Sequence, residues 1–222
     1  RNTGFWRTGY GVSLNNTATS VLENLTFAQS ILAGIRLNSS VLDTLRNNIF
    51  VPRTNAYAYA IGTATSLLAN ATLDYNLYDF SAEGSDFYAG APFGRDLRRL
   101  QVGKVFGTPK YGGLNRDFRS AVAPASLADI DAGDFHPRSE YGRWENGGWT
   151  LDTNTSWAVD HGDPDQDAGL EPSPNGGRRN IGMYGNTVQA SKGDSVDVSY
   201  DLRTLVNPNQ IIKQDDPIWP MI

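Results

Sequence analysis

Short apolar runs separated by polar residues fill the first eighty positions, with Asn, Thr, Ser, Val and Leu predominating and few charges. The apolar positions lack the 3.6-residue stripe of an amphipathic helix, so the pattern predicts strands. Three stretches align: Leu22-Glu23-Asn24-Leu25-Thr26-Phe27, Leu45-Arg46-Asn47-Asn48-Ile49-Phe50 and Leu73-Asp74-Tyr75-Asn76-Leu77-Tyr78. Each opens with Leu, carries Asn in the middle and has an aromatic residue five positions on; their starts lie 23 and 28 residues apart. That period fits one coil of a solenoid whose short strands pair in parallel with the coils before and after. A single coil cannot bury its own inner face. Stacking on its neighbours therefore supplies the burial, about 1.5–3 kcal/mol for each Leu or aromatic side chain. Asn suits the bends because it tolerates left-handed backbone and can bond an Asn one coil away. A β-sandwich of regularly spaced strands is the competing reading.

Beyond residue 80 the texture changes twice. From Ser81 to Arg119 the chain is rich in Gly, Pro, aromatic and basic residues, including Arg95, Arg98, Arg99, Lys104 and Lys110. This predicts a long excursion with a short helix near Arg95–Val102; its basic cluster reads as a solvated face or a cradle for an acidic sugar. Residues 127–187 are dense in Asp, Gly and Trp and predict an ordered, loop-rich region. After Gly193, Val196-Asp197-Val198-Ser199-Tyr200 alternates as a half-buried strand does. The expected organisation is thus residues 1–192 as one unit and 193–222 as a linker and the start of a following β module.

Composition narrows the chemistry. The 222 residues carry 19 basic and 24 acidic side chains, a formal net charge of −5, which leaves little positive field for a nucleic acid. There is no Cys, so thiol nucleophiles, disulfides and thiolate metal sites are excluded, and two His cannot make a three-histidine zinc centre. No run reaches the roughly 18 apolar residues of a membrane-spanning helix.

The segment Glu171-Pro172-Ser173-Pro174-Asn175-Gly176-Gly177-Arg178-Arg179-Asn180-Ile181-Gly182-Met183-Tyr184-Gly185-Asn186-Thr187, followed by Ala190-Ser191-Lys192, resembles the closing motif of large secreted bacterial right-handed parallel β-helix proteins. Asp134-Phe135-His136, Gly142-Arg143-Trp144 and Asp160-His161-Gly162-Asp163-Pro164 look like the elements that precede that ending in the same pectate-lyase-like proteins. Arg179, Met183 and Asn186 depart from the motif, and a charge at position 179 needs solvent or a carboxylate. The resemblance implies an all-β fold, a right-handed parallel β-helix with a long loop-rich C-terminal cap, from a secreted or cell-surface protein. It implies a fold more than an activity, because that architecture carries lyases, hydrolases and passive surface proteins alike.

Candidate chemistry lies mostly in the loop-rich region. Asp163, Asp165 and Asp167 stand at alternate positions with Glu171 close behind, a pattern that can aim several carboxylates at one Ca²⁺. Asp129, Asp131 and Asp134 form a second, looser set. The competing reading of both is an acidic turn whose Asp residues cap their own backbone. Trp144, Trp149 and Tyr141 could stack on sugar rings, or could fill the underside of a loop. Asn38, Asn70 and Asn154 head sequons open to glycosylation; Asn15 and Asn24 head two more, and the one at Asn24 falls inside a repeat and is attributed to composition. No catalytic residue is assigned, since the acidic signatures of pectin hydrolases are absent and the aligned stretches offer Leu, Asn, Thr and aromatic residues.

The sequence therefore leads to a non-catalytic extracellular structural or adhesive protein, able to associate with itself into a fibre or surface layer or to contact polysaccharide, with structural Ca²⁺. The alternative is a polysaccharide lyase or glycoside hydrolase whose catalytic coils lie partly outside this segment or near Asp96, Arg98, Arg99 and Lys104.

Overall fold

The computed structural model describes residues 1–61, 71–81, 86–89 and 119–194, for 57–61 and 86–89 the backbone only. The basic cluster from Arg95 to Lys110, Asn70 and all but the first two residues of the expected module at 193–222 lie outside the described residues. The strands run in chain order β1 (Thr3–Trp6), β2 (Tyr10–Asn15), β3 (Val21–Glu23), β4 (Leu25–Ala28), β5 (Ala33–Asn38), β6 (Thr44–Arg46), β7 (Ile49–Val51), β8 (Tyr57–Ile61), β9 (Thr72–Asp74) and β10 (Leu77–Tyr78). They continue as β11 (Asp86–Ala89), β12 (Ala121–Val122), β13 (Leu127–Asp129), β14 (Asp134–Pro137), β15 (Arg143–Glu145) and β16 (Gly148–Thr150). No helix occurs among the described residues.

Three sheets are parallel, with strand orders β1-β4-β7-β10-β12, β2-β5-β8-β11 and β3-β6-β9. Their register is the alignment visible in the sequence. Leu22, Leu45 and Leu73 stand side by side, as do Phe27, Phe50 and Tyr78. In the first sheet successive side chains point to opposite faces, and in β4, β7 and β10 both faces are buried. Inward, Phe5, Phe27, Phe50, Tyr78 and Phe80 form a column with centroids 5.2, 4.8, 5.2 and 5.9 Å apart. Leu25, Ile35, Leu37, Leu45 and Leu73 fill the space around it. Outward, Ala28, Ile49, Val51 and Leu77 pack against Ala125, Leu127, Phe135, Ala158 and Ile181 from the C-terminal region. Burial on two faces explains why these short strands read as unbroken apolar runs rather than as an alternation.

Left-handed backbone recurs at matched corners. Asn2, Asn24, Asn47 and Tyr75 have φ of 54, 51, 56 and 55°, and their amides or carbonyls join one repeat to the next. Asn accepts this conformation because its short side chain bonds locally; an aromatic residue does so at a cost of strain. Tyr75 is held between the guanidinium groups of Arg119 and Arg178, 5.5 and 6.0 Å from its ring. A buried amide ladder runs beside the corner. Asn76 Oδ1 accepts from the Asn48 amide N–H and side chain, and Asn48 Oδ1 accepts from the Leu25 N–H.

The expectation of a right-handed parallel β-helix over residues 1–192 is corrected by these observations. The described residues are all-β, with short strands in several small sheets that are mostly parallel, and no solenoid is shown running through that span. Parallel pairing stops at the two-residue strand β12. From Leu127 onward the chain pairs with itself, β13 with β14 and β15 with β16 in antiparallel hairpins. The physical cause is local: turns with left-handed Gly133, Asn146 and Gly147 bring each strand back on its predecessor before it can reach the parallel sheets. Residues 151–194 contain no strand, only turns and bends. The glycine-rich ending, expected to fold across an open end, lies instead on the outer face of the first sheet.

Candidate functional site

Among the described residues, a dense set of polar contacts forms where residues 157–187 cross the corners of successive repeats. Three corner asparagines hold the segment. Asn2 Nδ2 donates to the carbonyls of Met183 and Gly185, Asn24 Nδ2 to those of Asn180 and Gly182, and Asn47 accepts from the Gly182 N–H at its carbonyl and from the Asp163 N–H at Oδ1. Thr26 Oγ1 adds a bond from the Met183 N–H. Glycine is required where the two layers touch. A methyl group on Gly182, at φ +96°, would sit 2.6 Å from Ile49 Cδ1 and 2.9 Å from Thr26 Oγ1. On Gly185 it would collide with the Asn180 carbonyl and the Asn24 side chain.

Charges fill the rest of this contact. Glu23, 1% exposed, pairs with Arg46 and Arg1, and Arg46 also reaches Asp163 at 2.9 Å. Arg179, where the motif has an apolar residue, is buried; burial lowers its pKa. Its guanidinium donates to the Asp167 carbonyl, to Asn24 Oδ1 and to Gln166 Oε1, so backbone and amide oxygens take up the charge that was expected to need solvent or a carboxylate. Glu171 is the keystone of the segment. Its Oε1 accepts from the Asn180 and Asn186 N–H groups, fixing both ends of the 180–186 loop, while Oε2 is buried with no hydrogen-bond partner among the described residues. Burial raises its carboxyl to about 8, with Asp160 adding to the rise and the two amides and Arg179 opposing it.

The structure does not gather the expected calcium ligands. Asp163 is committed to Arg46 and caps the Asp165 N–H, Asp167 caps the Gly169 N–H, and Glu171 faces backbone amides. The second set is likewise dispersed. Asp129 caps Ala132, Asp131 accepts from Arg7 and Gln29, and Asp134 accepts from His136 and Arg143. Among the described residues no group of three or more His, Asp or Glu side chains has the arrangement of a metal site. Arg143, itself buried, is the hub there, reaching Asp134, Glu145 and Asp152 at 3.4, 3.1 and 3.1 Å. Burial pushes the Asp134 carboxyl up, but the side-chain and backbone hydrogen bonds of His136, with the charges of His136 and Arg143, hold it below its ordinary value.

The aromatic candidates do come together. Trp144 and Trp149 are cross-strand partners on β15 and β16, edge to face with centroids 5.2 Å apart. Their neighbours are already chosen. Lys192 Nζ sits 4.3 Å over the Trp149 ring and Tyr141 donates to Asp194, so the aromatic group clasps the departing chain at 192–194. Of the sequons, Asn38 is exposed on β5 and donates to Asn15 Oδ1 one strand away, and Asn154 is exposed in a turn.

Sequence reasoning singled out the acidic residues but missed Asn47, Arg46 and Glu23 as partners of the distant segment. Their signal was positional: Asn47 is a corner asparagine, and Glu23 and Arg46 occupy the matched place just before a corner. No protein-family model, curated protein or solved structure matches the chain.

Proposed function

We propose that this chain is a non-catalytic structural or adhesive element acting outside the cell, through self-association or contact with polysaccharide. One observation carries the reading: among the described residues, the buried carboxylates and guanidinium groups that could do chemistry are spent on one another and on backbone amides, binding the C-terminal region within itself and, through Asp163, to the repeats. Asp163 is tied to Arg46, Asp134 and Asp152 to Arg143, and Glu171 to two backbone amides. A general acid and base, or a cation-bound lyase centre, needs such groups free to face a substrate. A surface of short parallel strands with polar corners, stiffened by an outer layer, suits a scaffold better.

The test combines depletion and product assays over a panel of neutral and acidic polysaccharides with sedimentation across a concentration series. The expected result is retention by at least one polysaccharide, or concentration-dependent association, with no new chain ends. Steady release of new reducing or unsaturated ends would establish an enzyme instead. A protein that stays monomeric and binds no polysaccharide would also overturn the reading.

A further inference from the structure

The turn joining β15 to β16 carries chemistry that none of the preceding roles uses. Glu145 pairs with Gly148, leaving Asn146 and Gly147 as a two-residue loop with φ of 49 and 89°, the conformation of a type I′ turn. Both residues are exposed, and a methyl group on Gly147 would meet nothing within 4 Å, so no described residue packs against the turn on that side. The Asn146 carboxamide bonds to no described residue. The hairpin is three residues a side and two strands wide, a size with little independent stability in water, so the turn can open to the geometry that reaction requires.

We propose that Asn146-Gly147 is a site of spontaneous covalent modification, at which the side-chain amide is lost and the backbone is partly rerouted. The Gly147 backbone nitrogen attacks Asn146 Cγ; the new N–Cγ bond forms, the Cγ–Nδ2 bond breaks and ammonia leaves with the proton from the backbone nitrogen. Water then opens the five-membered imide at either carbonyl, giving Asp or iso-Asp. No oxidant or enzyme takes part. Asn is among the chemically labile residues, and Gly following it removes the side chain that would shield the attacking nitrogen.

The consequence reaches beyond the turn. Iso-Asp adds a backbone carbon to a two-residue loop whose register places Trp144 opposite Trp149, and either product adds a negative charge beside Glu145. Trp149 carries Lys192 on its face, so the change loosens the clasp on residues 192–194. The chain's other Asn-Gly pair in the described residues is an internal control. Asn175 donates to the Ala168 and Glu171 carbonyls and accepts from the Gly177 N–H, and a methyl group on Gly176 would lie 2.5 Å from Asp160 Oδ2.

The whole protein is aged in mildly alkaline buffer, digested, and its peptides separated and weighed with iso-Asp detection. The 143–150 region is expected to convert severalfold faster than the 174–178 region, and the aged protein to be cut faster by protease near residue 193. Asn146→Gly, which keeps a residue at ease with positive φ but has no amide to lose, is expected to show neither change. Equal conversion of the two pairs, or an intact Asn146 while an isolated peptide of the same sequence converts, would overturn the proposal. Unchanged protease sensitivity of aged, converted protein would overturn its link to the clasp.

Discussion

The repeats before residue 80 and the segment from 157 to 187 are held by opposite means. In the repeats the same kind of side chain meets itself: ring on ring from Phe5 to Phe80, Leu beside Leu at 22, 45 and 73, amide on amide at Asn48 and Asn76. In the segment each contact is made once. A glycine admits one isoleucine, a carboxylate joins two particular amides, and a guanidinium reads three oxygens. Periodic contacts spread a loss over neighbours. Unique contacts concentrate it.

Truncating the middle of the column tests the first half of that contrast and carries the largest expected effect. Phe50 is fully buried between Phe27 and Tyr78, so Phe50→Ala is expected to destabilise by about 3–5 kcal/mol in chemical denaturation. Next comes Gly182→Ala, which adds one methyl group against Ile49 at a left-handed position. It is expected to cost about 2–4 kcal/mol through overpacking and backbone strain, and to expose the outer face of the first sheet to an apolar dye.

Acidity sharpens the comparison, because the buried carboxylate of the repeats, Glu23, is paired with Arg46 and Arg1, whereas Glu171 rests on two backbone amides. Its carboxyl titrates at about 8 when folded and near 4.5 in its ordinary state. Between those values the folded protein keeps a proton that the unfolded chain has lost. Stability from this group is therefore fully present below the lower value and falls as pH rises through the upper one, by at most about 1.4 kcal/mol per pH unit. Glu171→Gln, which retains an acceptor for the Asn180 and Asn186 amides, is expected to remove that slope in melting curves taken from pH 5 to 9. The smallest effect belongs to the exposed pair of Arg7 and Asp131, for which Asp131→Ala is expected to change stability by about 0–1 kcal/mol.

The same contrast explains what could be read in the sequence. The repeat register was legible because Leu22, Leu45 and Leu73, and the aromatic residues five places on, recur at a nearly constant interval. Extending that pattern to a solenoid over residues 1–192 failed because nothing periodic governs residues 127–194. There, turns such as Asn146-Gly147 close hairpins, and single long-range bonds fix the rest. Alternating Asp163, Asp165 and Asp167 signalled a loop, but spacing alone cannot show whether a carboxylate turns toward a cation, an Arg from a distant repeat or its own backbone. Glu171 was visible as an acidic residue; its role depends on two amides, 9 and 15 positions later, that only the folded chain brings to it. Gly182 stood out as a glycine, yet the residues that require it, Ile49 and Thr26, lie more than a hundred positions away, and Gly185 must clear the distant Asn24 side chain as well as the nearby Asn180 carbonyl.

Residue-resolved hydrogen exchange on the intact protein tests most directly whether the 157–187 segment is a fixed outer layer. The amides of Ile181, Gly182 and Met183, bonded to Ala158, Asn47 and Thr26, are expected to exchange as slowly as those of Phe27 and Phe50 and to open together with them. Fast exchange at residues 181–183 while the strands stay protected would show the segment to be a loose appendage and contradict its structural role.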